Sequence, residues 1–242
     1  MRIVDSLGME ITSMDDWSKL YATSQNSHHW KKGRSAYSTA EFLLHHDGVS
    51  VLSQRVSEAL GVHIEFNLAI PEYEVKFDGY GKGRMHDIGI FGQTEDGKSV
   101  FVGVEAKVDE SFGPMVKDSY LAAKAKQVVG ITTNLPERIE NLLALHFREP
   151  DITMFDTRYQ LLYTTAGTLA AESDISVLFI AVFKTEQYEE SIATENYKDY
   201  LHFIEKIGAI PINLQSTKAL SHEVELQGKS LTCLYECFET YL

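Results

Sequence analysis

Two carboxylates and a lysine have the residue types and spacing to do chemistry in this sequence. Asp87 stands in the run Met85-His86-Asp87-Ile88-Gly89-Ile90, and eighteen residues later comes Val104-Glu105-Ala106-Lys107-Val108. Both runs read as β-strands joined through a turn at Asp96-Gly97. On such a strand Glu105 and Lys107 share one face, while Val104, Ala106 and Val108 share the other. A hairpin at that turn brings Asp87 back alongside Glu105. Two converging carboxylates plus the carbonyl of Ala106 make a hard oxygen site suited to Mg²⁺ or Mn²⁺. Lys107 then lies beside the water that the cation activates. This set is equipped to hydrolyse a phosphodiester: the cation acidifies water and neutralises the phosphate, and the lysine orients the nucleophile or stabilises developing charge. A Glu-x-Lys triplet alone is commonplace and ordinarily a solvated pair. This one ends an apolar strand and is preceded by an aspartate-bearing hairpin partner, which sets it apart.

The elements that must position these residues follow from periodicity. A short helix is expected over Asp15 to Ala22, around Trp17. Ser38-Thr39-Ala40-Glu41 fits a capping box and starts a helix that Asp47-Gly48 breaks; a second helix runs from about Ser50 to Leu60 and ends at Gly61. Strands are expected over Ile64 to Ala69, Glu72 to Phe77, Met85 to Phe91 and Ser99 to Val108, an antiparallel meander with turns between. Helical spacing returns near Val116 to Val129, Glu137 to Phe147 and Thr157 to Ala171. Ile175 to Phe183 is an uncharged apolar run, the pattern of a strand buried on both faces. A helix from about Glu195 to Ile207 precedes a tail read as a short hairpin or strand-helix unit. Helices, three or four strands, helices, a buried strand and a helix suit a three-layer α/β domain with a mixed sheet.

Composition narrows the field further. Twenty-two basic against thirty-five acidic residues give a net charge of −13, whereas a chain that grips long duplexes by phosphate neutralisation is usually basic. A nucleic-acid role therefore depends on a local basic patch, a divalent metal, or a partner, either a basic protein or a second copy of the chain. Five prolines and sixteen glycines without a cluster exclude disordered and collagen-like readings. The longest apolar run, Ile175 to Phe183, is far short of the ~20 residues that cross a bilayer. The first residues lack a signal peptide's basic and apolar regions, so a cytoplasmic location is expected. Cys233 and Cys237 lack the companions that a disulfide framework or a zinc site needs.

Asp87 followed by Glu105-Ala106-Lys107 resembles the D…(D/E)xK signature of the restriction-endonuclease-like PD-(D/E)XK superfamily, with His86 where the motif's name has proline. The likeness runs from about Arg34 to Lys184 and takes in the helix, three strands, helix and strand of that superfamily's αβββαβ core. It implies one α/β domain over residues 1–242 with a mixed sheet flanked by helices, a core at about 34–184, and decorations at both termini. It also implies metal-dependent cleavage of nucleic acid, DNA in the first instance, with Asp87 and Glu105 as ligands and Lys107 as base or stabiliser. A glutamate on the first core helix often reaches the metal in that superfamily, a role open to Glu41 unless Glu41 only closes the capping box. Some members carry Q-x-x-x-Y on the helix after the core; Gln160-x-x-Tyr163 is one residue shorter.

Further candidates border the expected cleft. Arg158 and Gln160, near a helix start, are read as facing phosphate or the site, against the plainer reading of helix caps. Lys31, Lys32 and Arg34 could supply phosphate contacts and Trp30 base stacking, against an ordinary polar loop with Trp30 buried. Lys117, Lys124 and Lys126 could extend a basic lip or simply face solvent. A metal-dependent nuclease is the leading expectation. A non-enzymatic relative that keeps the fold as a nucleic-acid-binding or complex-forming module, and a hydrolase of smaller phosphoesters, remain beside it.

Overall fold

The computed structural model describes residues 1–22, 28–147, 149, 151–214 and 219–239. The first part of the polar stretch before Arg34, residues 24–27, and residues 215–218 and 240–242 of the tail lie outside it. Among the described residues, seven α-helices flank one eight-stranded mixed sheet, as expected for an α/β class. The strands are β1 (Arg2–Ile3), β2 (Ile64–Val75), β3 (Arg84–Thr94), β4 (Ser99–Lys107), β5 (Ile175–Lys184), β6 (Ile210–Ile212), β7 (Leu220–Leu226) and β8 (Lys229–Glu239), in the order β1-β2-β3-β4-β5-β8-β7-β6. The β2-β3-β4 meander is antiparallel, and β5 runs parallel to both β4 and β8.

Two expectations change in detail. The separate strands at Ile64 to Ala69 and Glu72 to Phe77 are one strand, β2, that runs through Pro71. Proline is tolerated there because the β1 pairing stops at Ala69, so the missing N–H faces no neighbouring strand. The C-terminal tail, read as a short hairpin or strand-helix unit, extends the sheet: β8 pairs with β5 from Ser176 to Lys184 and carries β7 and β6 beyond it. An apolar β5 buried on both faces needs a ladder partner on each edge, and β8 supplies the second.

The helices are α1 (Met14–Ser18), α2 (Ser35–His45), α3 (Gly48–Leu60), α4 (Val116–Val128), α5 (Leu135–His146), α6 (Tyr159–Ala170) and α7 (Glu190–Lys206). The first three pack Trp17, Ala40, Phe42, Leu43, Leu52 and Val56 against Ile88, Ile90, Val102, Val104 and Phe179 on one sheet face. The others pack Val116, Ile139, Leu142, Leu161, Leu162 and Tyr200 against Leu178, Ile180, Leu231 and Cys233 on the opposite face. No helix among the described residues is long and apolar enough to cross a membrane.

His146, the last residue of α5, is buried in this second layer, with Nδ1–H donating to the Leu142 carbonyl at 2.7 Å and Nε2 without a partner. Burial pushes its pKa down to about 4, against a smaller upward pull from the Leu142 carbonyl. As pH falls below the ordinary value of 6.5, the unfolded chain takes up this proton before the folded one does, so stability declines until the pH reaches about 4. Urea unfolding at pH 7 to 4 should therefore show a slope from this group approaching ~1.4 kcal/mol per pH unit. His146→Leu should flatten the profile by one proton, and an unchanged slope would exclude His146 as its source.

Candidate active site

The sheet opens at Asp87. The β3–β4 ladder ends at the pair Ile88 and Val104, and one step further the Asp87 carboxylate turns between the strands, its Oδ2 accepting the Ala106 N–H at 2.6 Å. Residues two apart on a regular strand share a face. Here Arg84 and His86 lie under Gly167 of α6, whereas Ile88 lies in the opposite core. The strand thus turns over at Asp87. Its neighbour β2 does the same at Glu72, which has φ 51 and stands between the register pairs Pro71–Ile88 and Tyr73–His86. Glu72 accepts a hydrogen bond from the Tyr21 hydroxyl, and its carboxyl is pushed up by burial and further by the charge of Asp87.

Glu105 and Lys107 point from β4 toward α6 and are only 2 % and 4 % exposed. Glu105 is surrounded by donors: Lys107 Nζ lies 2.8 Å from its Oε1, Gln160 Nε2 donates to the same oxygen, and Arg84 Nη2 donates to Oε2. Lys107 also lies over the Phe112 ring, 5.4 Å from its centroid. Burial pushes the Lys107 pKa down, while Asp87 and Glu110 pull it back up. The Glu110 carboxylate accepts the N–H groups of Val108 and Asp109 at 3.3 and 3.1 Å, closing the strand end beside Lys107.

Asp87, Glu105, Ala106, Lys107 and Gln160 are therefore brought together, the last by the first turn of α6. Arg34 sits at the N-cap position of α2, 3.3 Å from Asp109 Oδ2, so the basic stretch does border the end of β4. Lys31 and Lys32 are exposed in the turn before it. Trp30 stacks on Tyr21 with ring centroids 5.4 Å apart and tilts against Tyr37, which makes it part of the packing over Glu72.

Two candidates go elsewhere. Arg158 is buried, and its guanidinium is spent on Asp199 at 2.7 Å, on Glu195, and on the Gly113 carbonyl at 2.7 Å, tying the start of α6 to α7. That corrects the reading of Arg158 as a phosphate contact. Glu41 lines a cavity of about 430 Å³ with His46, Arg55, Lys184 and Glu236, a lining that includes none of Asp87, Glu105 and Lys107. Its capping-box reading fails too, because α2 begins at Ser35 and the buried Ser38 hydroxyl has no partner. Lys117 and Lys124 are engaged with Asp156 and Glu140 at 2.8 and 3.8 Å.

Arg84 was not legible from spacing. Three residues from Asp87, it falls on the opposite face of a regular strand, and only the inversion at Asp87 turns it toward Glu105. Glu72 was missed for a different reason: reading β2 as two strands hid the register that sets it opposite Asp87.

Among the described residues no three His, Cys, Asp or Glu side chains form a metal-binding group. The donors present are nevertheless all oxygen: a half-buried Asp87 that accepts from Ala106 through one oxygen, and Glu105 from the adjoining strand. They fit a hard divalent cation that keeps several waters, provided Glu105 gives up one of its present donors.

The chain belongs to a family described as a domain of unknown function (DUF6946), which matches residues 10–237. No curated protein and no solved structure gives a match.

α6 reaches this site only because Gly167 lacks a side chain: a Cβ there would stand 2.5 Å from Arg84 Cβ and 3.2 Å from His86 Nε2. Gly167→Ala should cost ~1–3 kcal/mol in urea unfolding through overpacking. Gly79→Ala, with no atom within 4 Å of the added carbon, should stay within about ±0.5 kcal/mol. Equal effects would mean that α6 has room to retreat.

Proposed function

We propose that this chain is a Mg²⁺- or Mn²⁺-dependent nuclease of restriction-endonuclease-like design, hydrolysing phosphodiester bonds, with DNA as the first substrate to test. One observation carries this reading: a half-buried Asp87 is bonded to the Ala106 N–H of the adjoining strand, between a buried Glu105 and the Lys107 that pairs with it. The chain order of α2 and α3, the β2-β3-β4 meander, α6 and the parallel β5 supports it, since that is the order of the resembled core.

Asp87 and Glu105, with the Ala106 carbonyl, are the residues that would hold the cation. When bound, the cation supplies an acidified water and neutralises phosphate charge. Lys107 orients the attacking water from its place beside Glu105, and its lowered pKa suits it to exchange a proton at Nζ. Gln160 holds the Glu105 carboxylate in its rotamer. The acidity of the chain, −13 overall, fits a nuclease that relies on its cation, or on a basic partner or second copy, to approach nucleic acid.

A second reading has its own observation. Both oxygens of Glu105 are already engaged, by the charges of Arg84 and Lys107 and the amide of Gln160, as they would be in a module that keeps the fold for binding and does no chemistry.

Calorimetric titration with Mn²⁺ separates the two. Asp87→Asn and Glu105→Gln should each abolish most binding while the protein stays folded. Lys107→Met should retain or tighten cation binding yet slow cleavage by roughly 10²–10³-fold, the loss typical of one electrostatic stabiliser. A panel of DNA, RNA and nucleotides in Mn²⁺ identifies the substrate. Binding unchanged in both carboxylate variants, or cleavage unchanged in Lys107→Met, refutes the assignment.

A further inference from the structure

Arg84 is short of partners for so buried a cation. It is 7 % exposed, donates through Nη2 to Glu105, and lies with Cζ 5.0 Å from the centroid of the Tyr163 ring, but its Nε–H has no partner. A guanidinium presents a planar fork whose neighbouring N–H groups match two oxygens of a carboxylate or phosphate, and a buried N–H left unpaired is costly. The Arg84 fork is thus half used. Gly167 of α6 presses on its Cβ, so the side chain is held at the site. Glu105 is in the opposite condition, with three donors on two oxygens. A cation that takes Glu105 competes with these donors, and at Oε2 its competitor is Arg84. Lys107 is the less movable, because it springs from the same strand two residues away and is closed in by Phe112.

We propose that Arg84 grips the phosphate of the substrate in this site. A divalent cation arriving at Asp87 and Glu105 releases the guanidinium from Glu105, and the freed fork takes two oxygens of a phosphodiester through Nε and Nη2. The inference rests on the metal-dependent reading above and adds Arg84 as the residue that recognises the phosphate. Its consequence is a positive coupling: cation and phosphodiester each tighten the other's binding by the same factor, since each frees the other's ligand. Lys107 cannot substitute, because an ammonium is a point charge without the two-pronged geometry.

The test uses the full chain, Ca²⁺ as a cation that supports binding in such sites, and a fluorescein-labelled single-stranded DNA oligonucleotide. Calorimetry reads Ca²⁺ affinity and anisotropy reads the oligonucleotide. In the unaltered protein Ca²⁺ should tighten oligonucleotide binding by about tenfold, and the oligonucleotide should tighten Ca²⁺ binding equally. Arg84→Met should bind Ca²⁺ about tenfold more tightly, its competitor being gone, and lose most of the coupling, keeping only what the charge of the cation itself supplies. Arg84→Lys guards against a folding defect in that variant: it keeps a charge against Glu105, so Ca²⁺ affinity should stay near the parental value while the coupling falls as it does in Arg84→Met. If Glu105→Gln loses Ca²⁺ but both Arg84 variants keep the parental coupling, whatever their Ca²⁺ affinity, the cation site stands and Arg84 is only a counter-ion. If the parent binds no Ca²⁺, or Glu105→Gln binds it as the parent does, the metal-dependent reading fails and this proposal with it.

Discussion

A carboxylate removed from water must be surrounded by donors, and Glu105 is that carboxylate in this protein. At 2 % exposure it would be intolerable alone, since an ion taken from water without partners costs several kcal/mol. Its partners come from three elements: Arg84 of β3, Lys107 of β4 and Gln160 of α6. Each holds its element in place. β3 must invert so that Arg84 faces α6, α6 must descend onto the sheet so that Gln160 reaches Oε1, and glycine must stand at 167 to let it descend. The buried charge therefore organises the ends of three elements around one point.

Asp87 shows the opposite economy. It stays only half-buried at the opening between β3 and β4, anchored by one hydrogen bond to Ala106. Beside it Glu72, in the left-handed region at φ 51, receives the Tyr21 hydroxyl, and Tyr21 is braced by Trp30. A non-glycine residue in that region is uncommon and persists where its surroundings over-determine it. The two inversions, at Glu72 and Asp87, sit opposite each other, so the ladder between β2 and β3 survives while the faces exchange. This is how a sheet with an apolar face on each side delivers three acidic residues to one end of its meander.

The acidity of the chain is distributed in keeping with this arrangement. Cations are spent inward: Arg84 and Lys107 on Glu105, Arg158 on Asp199 and Glu195, Arg55 on Glu236. Arg158 in particular is a clamp, fixing the first turn of α6 to α7 and to the Gly113 carbonyl, and that first turn carries Gln160. A residue read as a contact for phosphate thus acts on the site only through the placement of its neighbour.

Local pattern by itself determined the α/β class, an antiparallel meander apart from the continuity of β2, the doubly buried β5, and a place for Asp87 beside the strand end that carries Glu105, Ala106 and Lys107. These follow from periodicity, turn residues and strand alternation, which are properties of short stretches. The tertiary structure alone decided the rest. It placed β8 against β5, because a strand buried on both faces needs a second ladder that no local signal names. It sent Glu41 to another cavity and Arg158 to α7, because a helix's rotation about its axis is set by what packs on it. It brought in Glu72 through the register of an unbroken β2, and Arg84 because the inversion at Asp87 breaks the alternation that assigns residues to faces. Alternation is a local rule, and where long-range pairing bends it, the residues nearest the bend are those a linear reading misplaces.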